Sequence, residues 1–304
     1  MIFVLKLKIF KMYILLIDMN ILVTGCNGQL GREVQNLAAL DAAHHYIFTD
    51  IDELDICNQQ AVEALVEAQE VDAIINCAAY TAVDKAEENE ELARKLNALA
   101  PEYLAEAVER RGGRMIQIST DYVFDGRGCV PYREEMVTNP CSAYGRTKLE
   151  GEQRVMRACH RAIIVRTAWL YSPYGNNFVK TMLRLGKERT ALGVVCDQVG
   201  TPTYALDLAK AVFALLQCDA EAGIYHFSNE GVISWYDFTK AIHRIAGIDT
   251  CHVNPLLTEQ YPTPAQRPHY SVLDKTKIKQ TCQIEIPYWE DSLCECIARL
   301  IKNN

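Results

Sequence analysis

The stretch Gly25-Cys26-Asn27-Gly28-Gln29-Leu30-Gly31 does most to restrict what this chain can become. It stands between a short apolar, β-branched run, Ile21–Thr24, and an amphipathic stretch that begins at Gln29. Alone, such a glycine cluster is a plain turn. Placed after a strand and before a helix, it lets the backbone turn tightly and approach a pyrophosphate, whose charge then rests on the amino end of the helix. The order strand, loop, helix therefore points to a dinucleotide bound at the edge of a parallel sheet.

The residues that follow repeat the alternation. Strands are predicted at Ile21–Thr24, Tyr46–Thr49, Ala73–Asn76, Met115–Ser119 and Ala162–Arg166, and helices at Gln29–Leu40, Gln60–Ala68, Pro101–Arg111 and Thr147–Cys159. This is the pattern of an α/β fold, a doubly wound parallel sheet of the Rossmann kind. After Trp169 the alternation loosens, with Pro and Gly clusters at 172–177, 200–203 and 262–268. We expect residues 19–168 to form the NAD(P)-binding domain. Residues 169–304 should form mainly a smaller C-terminal substrate-binding domain, with segments near 200–228 returning to the first.

Composition narrows the function classes. A formal net charge of −8 provides no basic stripe for a phosphate backbone, so no nucleic-acid partner is expected. Twelve cysteines are scattered without a CxxC pair, and the seven histidines show no ligand spacing relative to them, so free thiols in a reducing cytoplasm are expected, with no metal. Residues 1–18 are apolar but interrupted by Lys6, Lys8 and Lys11 and lack a small-residue cleavage site. They read as an extension outside the fold, dispensable for activity, rather than as a signal or a membrane span.

Asp50 falls about 25 residues beyond Gly25, at the end of the second predicted strand, where a carboxylate suits a ribose 2′-OH. That favours NADH, but Asp52, Glu53 and Asp55 are close by, and NADPH stays open. The run Asn76-Cys77-Ala78-Ala79 gives either tight packing or clearance for a ribose. Catalytic candidates are Thr120, Tyr144 and Lys148. A phenol donates a proton to a developing alkoxide only when tuned, and a lysine at i+4 on one helix face can lower its pKa while holding the nicotinamide ribose. With fifteen tyrosines a second YxxxK arises by chance, at Tyr236 and Lys240, and it reads as a surface pair beyond the nucleotide domain. Thr120, at a strand's carboxyl end, can bond the substrate oxygen or serve as a turn cap beside Asp121.

In order, VTGCNGQLG, NCAAYTAVDKAEE, STDYVFDG, YGRTKLEGE, TAWLYSPYGNNFVKTM, DQVGTPTYALDLA and AQRPHYSVLD closely resemble the dTDP-4-dehydrorhamnose reductases, extended short-chain dehydrogenases. The resemblance runs from Met19 nearly to the C-terminus. It implies hydride transfer from NADPH or NADH to C4 of a dTDP-linked 6-deoxy-4-keto-L-hexose, with Thr120, Tyr144 and Lys148 catalytic. It further implies that Gly25, Asn27, Gly28, Gln29, Leu30, Asp55, Ile56, Ala78, Ala79 and Asn97 line the cofactor, and that Asp121, Tyr122, Trp169, Asn177 and Arg267 face the sugar nucleotide. A cytoplasmic enzyme follows, and a homodimer is one assembly the resemblance allows.

The sequence also departs from that family. Some members join subunits through a cation held by glutamates; Glu33 matches one position, while Leu206 stands at another, so no structural metal is expected. Gln266 replaces an arginine found in many relatives. Related dehydratases carry Asp-Glu after the threonine, whereas here the pair is Asp121-Tyr122, so elimination lacks its second carboxylate. Other sugar-nucleotide epimerases or dehydratases, and a non-catalytic regulatory NADP-binding subunit, are the competing readings. The intact trio argues against the last.

Overall fold

The structure, a computed structural model, describes residues 18–302. The extension expected over residues 1–18 lies outside them, apart from Asp18. The labelled strands are β1 (Asn20–Thr24), β2 (His45–Thr49), β3 (Ala73–Asn76), β4 (Arg114–Thr120), β5 (Ala162–Thr167), β6 (Ala191–Val195), β7 (Gly223–His226) and β8 (His252–Leu256). Six of them pair in parallel in the order β7-β5-β4-β3-β1-β2. From β1 the chain first adds β2 on one side and then returns to add β3 on the other. That reversal opens a crevice above the carboxyl ends of β1 and β3, the place where open α/β sheets bind ligands.

The helices are α1 (Gln29–Ala38), α2 (Gln59–Ala68), α3 (Val83–Glu88), α4 (Glu90–Arg94), α5 (Ala100–Arg110), α6 (Ala143–Ala158), α7 (Phe178–Glu188), α8 (Ala205–Gln217), α9 (Trp235–Ile245), α10 (Thr276–Cys282) and α11 (Trp289–Lys302). Successive side chains of a strand point to opposite faces, and here both faces are dry. Ile21, Val23, Ile75, Ile116 and Val165 pack on Leu30 and Val34 of α1 and Leu208 and Val212 of α8. Leu22, Ile74, Met115 and Ile164 pack on Val62 of α2, Leu104 and Val108 of α5 and Val155 of α6. A third core joins β6 and β8 to α7, α9 and α11 through Val179, Val194, Phe238, Ile242, Val253, Leu293 and Ile297.

The five predicted strands appear within one residue at each end. The largest shift is α6, expected from Thr147 and beginning at Ala143, because the Ser142 side chain accepts the Gly145 N–H at 3.1 Å and caps the helix. The segment 83–99 carries α3, α4 and a π-helical turn at Lys95–Leu99 that periodicity did not reveal.

Candidate active site

Gly25 adopts φ +64°, and a Cβ there would lie 2.6 Å from the Ala78 nitrogen. Only glycine lets the loop after β1 touch the loop after β3. Gly31 has the packing role, since a Cβ on it would press into Cys26. Between the two loops lies a cavity of about 370 Å³ lined by Gly25, Asn27, Gly28, Asp50, Ile56, Ala78 and Ala79, as the sequence suggested. Ile51, Leu54, Cys77 and Leu96 also line it. Cys77 belongs to the small-residue run already singled out, whereas Ile51, Leu54 and Leu96 escaped notice because an apolar residue carries no signal until the fold places it. The Asp50 carboxylate accepts the Asn27 and Ile51 N–H groups, each at 2.9 Å, so it braces the glycine loop from within the crevice.

Four residues expected at the cofactor lie elsewhere or have their side chains engaged. Leu30 is 4% exposed and its side chain belongs to the core beneath α1. Asp55 is exposed and accepts the Cys57 N–H at 2.9 Å, a local turn rather than a crevice contact. Asn97 clamps the backbone of Tyr80 through both its amide atoms, at 2.9 and 3.1 Å, and donates to Thr147 at 3.2 Å, which uses its hydrogen-bonding capacity within the protein. Gln29 accepts from Asn177 at 2.9 Å, linking α1 to the start of α7.

Thr120 ends β4, and α6 lays Tyr144 and Lys148 over that end. The close approach needs Gly145, whose Cβ would collide with the Tyr122 carbonyl oxygen, and Gly151, whose Cβ would collide with that of Asn97. Glu87 accepts the Ala143 N–H at 2.8 Å and ties α3 to the same helix start. The Tyr144 ring packs edge-on to Tyr122, with centroids 5.5 Å apart. Burial raises the Tyr144 phenol above its ordinary pKa, with the Thr120 hydroxyl pulling the other way. The expected tuning by Lys148 is absent from this arrangement. Lys148 Nζ donates instead to the Ile118 carbonyl at 2.6 Å, and burial brings its pKa down to about 8, against the opposing charge of Glu152.

Beneath the trio runs a buried network that the sequence did not announce. Ser119 donates to Glu152 at 2.5 Å, and Arg166 clasps the same carboxylate at 2.9 and 2.7 Å, all three residues being 3% exposed or less. Its bonded partners are 33 and 14 residues apart in sequence, so only the fold assembles them. Asp121, also buried, shares a hydrogen bond of 2.9 Å with Thr120, and burial pushes its carboxyl up to about 7.

On the sugar side, Arg267 donates to Tyr122 at 3.0 Å and to Asp84 at 2.6 Å, bridging the C-terminal loop, the turn after β4 and α3. Gln266 is exposed beside it. Trp169 holds φ +49° and stacks on Trp235, with centroids 3.5 Å apart. Glu70, Asp219 and Gln283 share that backbone region, so what sets Trp169 apart is the stack, and Trp235 was not foreseen as its support. Asn177 does not offer a free amide: it caps α7 through the Lys180 N–H and donates to Gln29, Ser172 and Tyr174. Tyr236 is half-buried against the third core, and Lys240 is exposed on α9 at the rim of a separate hollow. Glu33, fully buried, is paired with Arg299 of α11 at 2.8 Å.

The geometry matches known proteins. The family model for the RmlD substrate binding domain matches residues 19–302. A dTDP-4-dehydrorhamnose reductase of Aggregatibacter actinomycetemcomitans is 41% identical over 284 residues, covering 90% of this chain and 97% of that protein. The crystal structure of a dTDP-4-dehydrorhamnose reductase from Clostridium acetobutylicum superposes with a TM-score of 0.90 at 47% identity, covering 93% of this chain and all of the other. A dTDP-4-dehydrorhamnose reductase from Bacillus anthracis, solved in complex with NADP, gives 0.88 at 39% identity over the same shares.

Proposed function

The chain belongs to the RmlD family of dTDP-4-dehydrorhamnose reductases, and from that premise we propose that it reduces the C4 ketone of dTDP-6-deoxy-L-lyxo-4-hexulose to dTDP-L-rhamnose. The observation that carries the reading is the joining, at the end of β4, of Thr120, Tyr144 and Lys148 beside the glycine-lined crevice.

The crevice fits a dinucleotide. A Cβ at Gly25 would fill the space where the two loops meet, and the amino end of α1 faces the cavity. Gly25, Asn27, Gly28, Ile56, Ala78 and Ala79 would hold it there, with Asp50 near the ribose. When bound, NADPH or NADH supplies the hydride that reduces the ketone. Tyr144 then gives its phenolic proton to the oxygen as charge develops on it. Thr120 bonds that same oxygen, and Lys148, a cation below about pH 8, would hold the nicotinamide ribose. Asp121, Tyr122, Trp169 and Arg267 orient the sugar nucleotide, Arg267 toward its diphosphate. Coenzyme binding resides in residues 19–168 with the returning segment 200–228, and substrate binding mainly in the remainder.

A single tyrosine donor with no carboxylate after Asp121 favours reduction over dehydration. No helix among the described residues is long and apolar enough to cross a membrane. A cytoplasmic location and a homodimer complete the reading, to be checked by cell fractionation and light scattering. Purified protein mixed with the keto sugar and either coenzyme tests the activity. Loss of reduced-nicotinamide absorbance matched by dTDP-L-rhamnose supports it, and no oxidation with either coenzyme refutes it.

A further inference from the structure

Cys218 and Cys282 lie 64 residues apart in the chain, yet their sulfurs stand 3.4 Å from one another. Cys218 caps the carboxyl end of α8, and Cys282 is the last residue of α10. Contacts that involve neither thiol hold these two ends together. Lys277 of α10 donates to the Ile224 carbonyl of β7 at 2.6 Å, and its ammonium sits 4.2 Å from the centre of the Tyr225 ring. Ile284, just past Cys282, packs on the first core with Leu215 and Leu216 of α8. The fold itself therefore presents the pair, with no domain movement needed to bring the sulfurs into contact.

A disulfide sets its sulfurs about 2.05 Å apart, so closure asks each side chain to move by less than about 1 Å. The chain leaves its helix at both places, Asp219 following Cys218 at φ +50° and Gln283 following Cys282 at φ +52°. Access differs between the two. Cys218 is exposed and Cys282 half-buried, and burial together with the neighbouring thiol pushes the Cys282 pKa up to about 12. An oxidant arriving from solvent meets Cys218 first, with a protonated Cys282 behind it.

We propose that Cys218 and Cys282 form an oxidant-closed clasp, in which hydrogen peroxide converts the dithiol to a disulfide that ties α10 to α8 and a thiol reductant reopens it. The Cys218 sulfur attacks one peroxide oxygen, the O–O bond breaks, and S–OH forms as water leaves. The Cys282 sulfur then attacks the Cys218 sulfur. The S–O bond breaks, and the departing hydroxide takes the Cys282 proton and leaves as a second water. Each sulfur gives one electron, and the peroxide takes both. The loop so closed contains β7, α9 and β8, and closing it removes freedom from the unfolded chain, which stabilises the fold.

The test treats the full chain with a slight excess of hydrogen peroxide, blocks free thiols with iodoacetamide and digests with trypsin in the absence of reductant. Mass spectrometry should find peptide 211–240 joined to peptide 280–299, with fragmentation placing the bond at Cys282 and not at Cys294 or Cys296. The melting temperature should rise by roughly 5 °C on oxidation, and dithiothreitol should reverse both changes. Cys218→Ser and Cys282→Ser should each show no such rise, and in Cys282→Ser dimedone should trap Cys218 as its sulfenic acid. Alkylation of both Cys218 and Cys282 after peroxide overturns the proposal. So does a bond from Cys218 to Cys294, to Cys296 or to a second copy of the chain, and so does a Cys218–Cys282 bond that leaves the melting temperature unchanged. A rise retained in either serine variant overturns it as well.

Discussion

Packing α6 onto the end of β4 acts on two titratable residues in opposite senses. Burial raises the Tyr144 phenol and lowers the Lys148 ammonium to about 8, because each is pushed toward its neutral form. Tyr144→Phe keeps the ring against Tyr122 but removes the proton, so turnover should drop by roughly 10² to 10⁴ while coenzyme affinity holds. Tyr236→Phe, in the chance pair on α9, should change neither; equal losses in the two variants would remove Tyr144 from its role. Lys148 is charged below about pH 8 and neutral above it, so coenzyme should bind more weakly as pH rises through that value. Fluorescence titration of coenzyme affinity against pH checks this, and Lys148→Met should bind weakly throughout with no inflection. These two residues and Thr120 were legible because their spacing carries chemistry. The engagement of Asn97 and Asn177 was not, since it depends on partners up to 148 residues away.

At the level of elements, the strands were legible because a buried parallel sheet needs continuous β-branched runs, and Ile21–Thr24 or Ala162–Thr167 offer little else. The segment 83–99 was not, because short helices joined through a π-helical turn have no sustained period. What anchors α6 was equally hidden. Arg166 of β5 and Ser119 of β4 both grip Glu152 one turn beyond Lys148, which fixes the helix on the sheet. Arg166→Met leaves that carboxylate buried without its cation, and breaking such a pair typically costs about 3–5 kcal/mol. Urea unfolding should register a loss of that order in an otherwise two-state transition. A change below about 1 kcal/mol would mean that the pair does not hold α6.

Across the whole molecule, the two halves meet where Gln29 of α1 accepts from Asn177, the cap of α7, and where Glu33 of α1 meets Arg299 of α11. The amino end of α1 is thus fixed from one side by the glycine loop and from the other by the third core. Asn177→Ala removes both the cap, about 1 kcal/mol, and the tie to Gln29, so thermal stability should fall together with coenzyme affinity. A lowered melting temperature with unchanged affinity would show that the tie does not reach the crevice. The doubly wound sheet was readable from alternation alone, but this meeting of distant segments was not, since nothing local in α1 announces a partner on α11. The central claim is that the crevice and the trio at the end of β4 form one reductase site. Its most direct test is to supply 4-deuterated NADPH and the keto sugar and to locate the deuterium in the product by NMR. The account predicts label at C4 of dTDP-L-rhamnose, formed by the wild type and nearly abolished in Tyr144→Phe. Label at another carbon, or equal labelling by Tyr144→Phe, would contradict it.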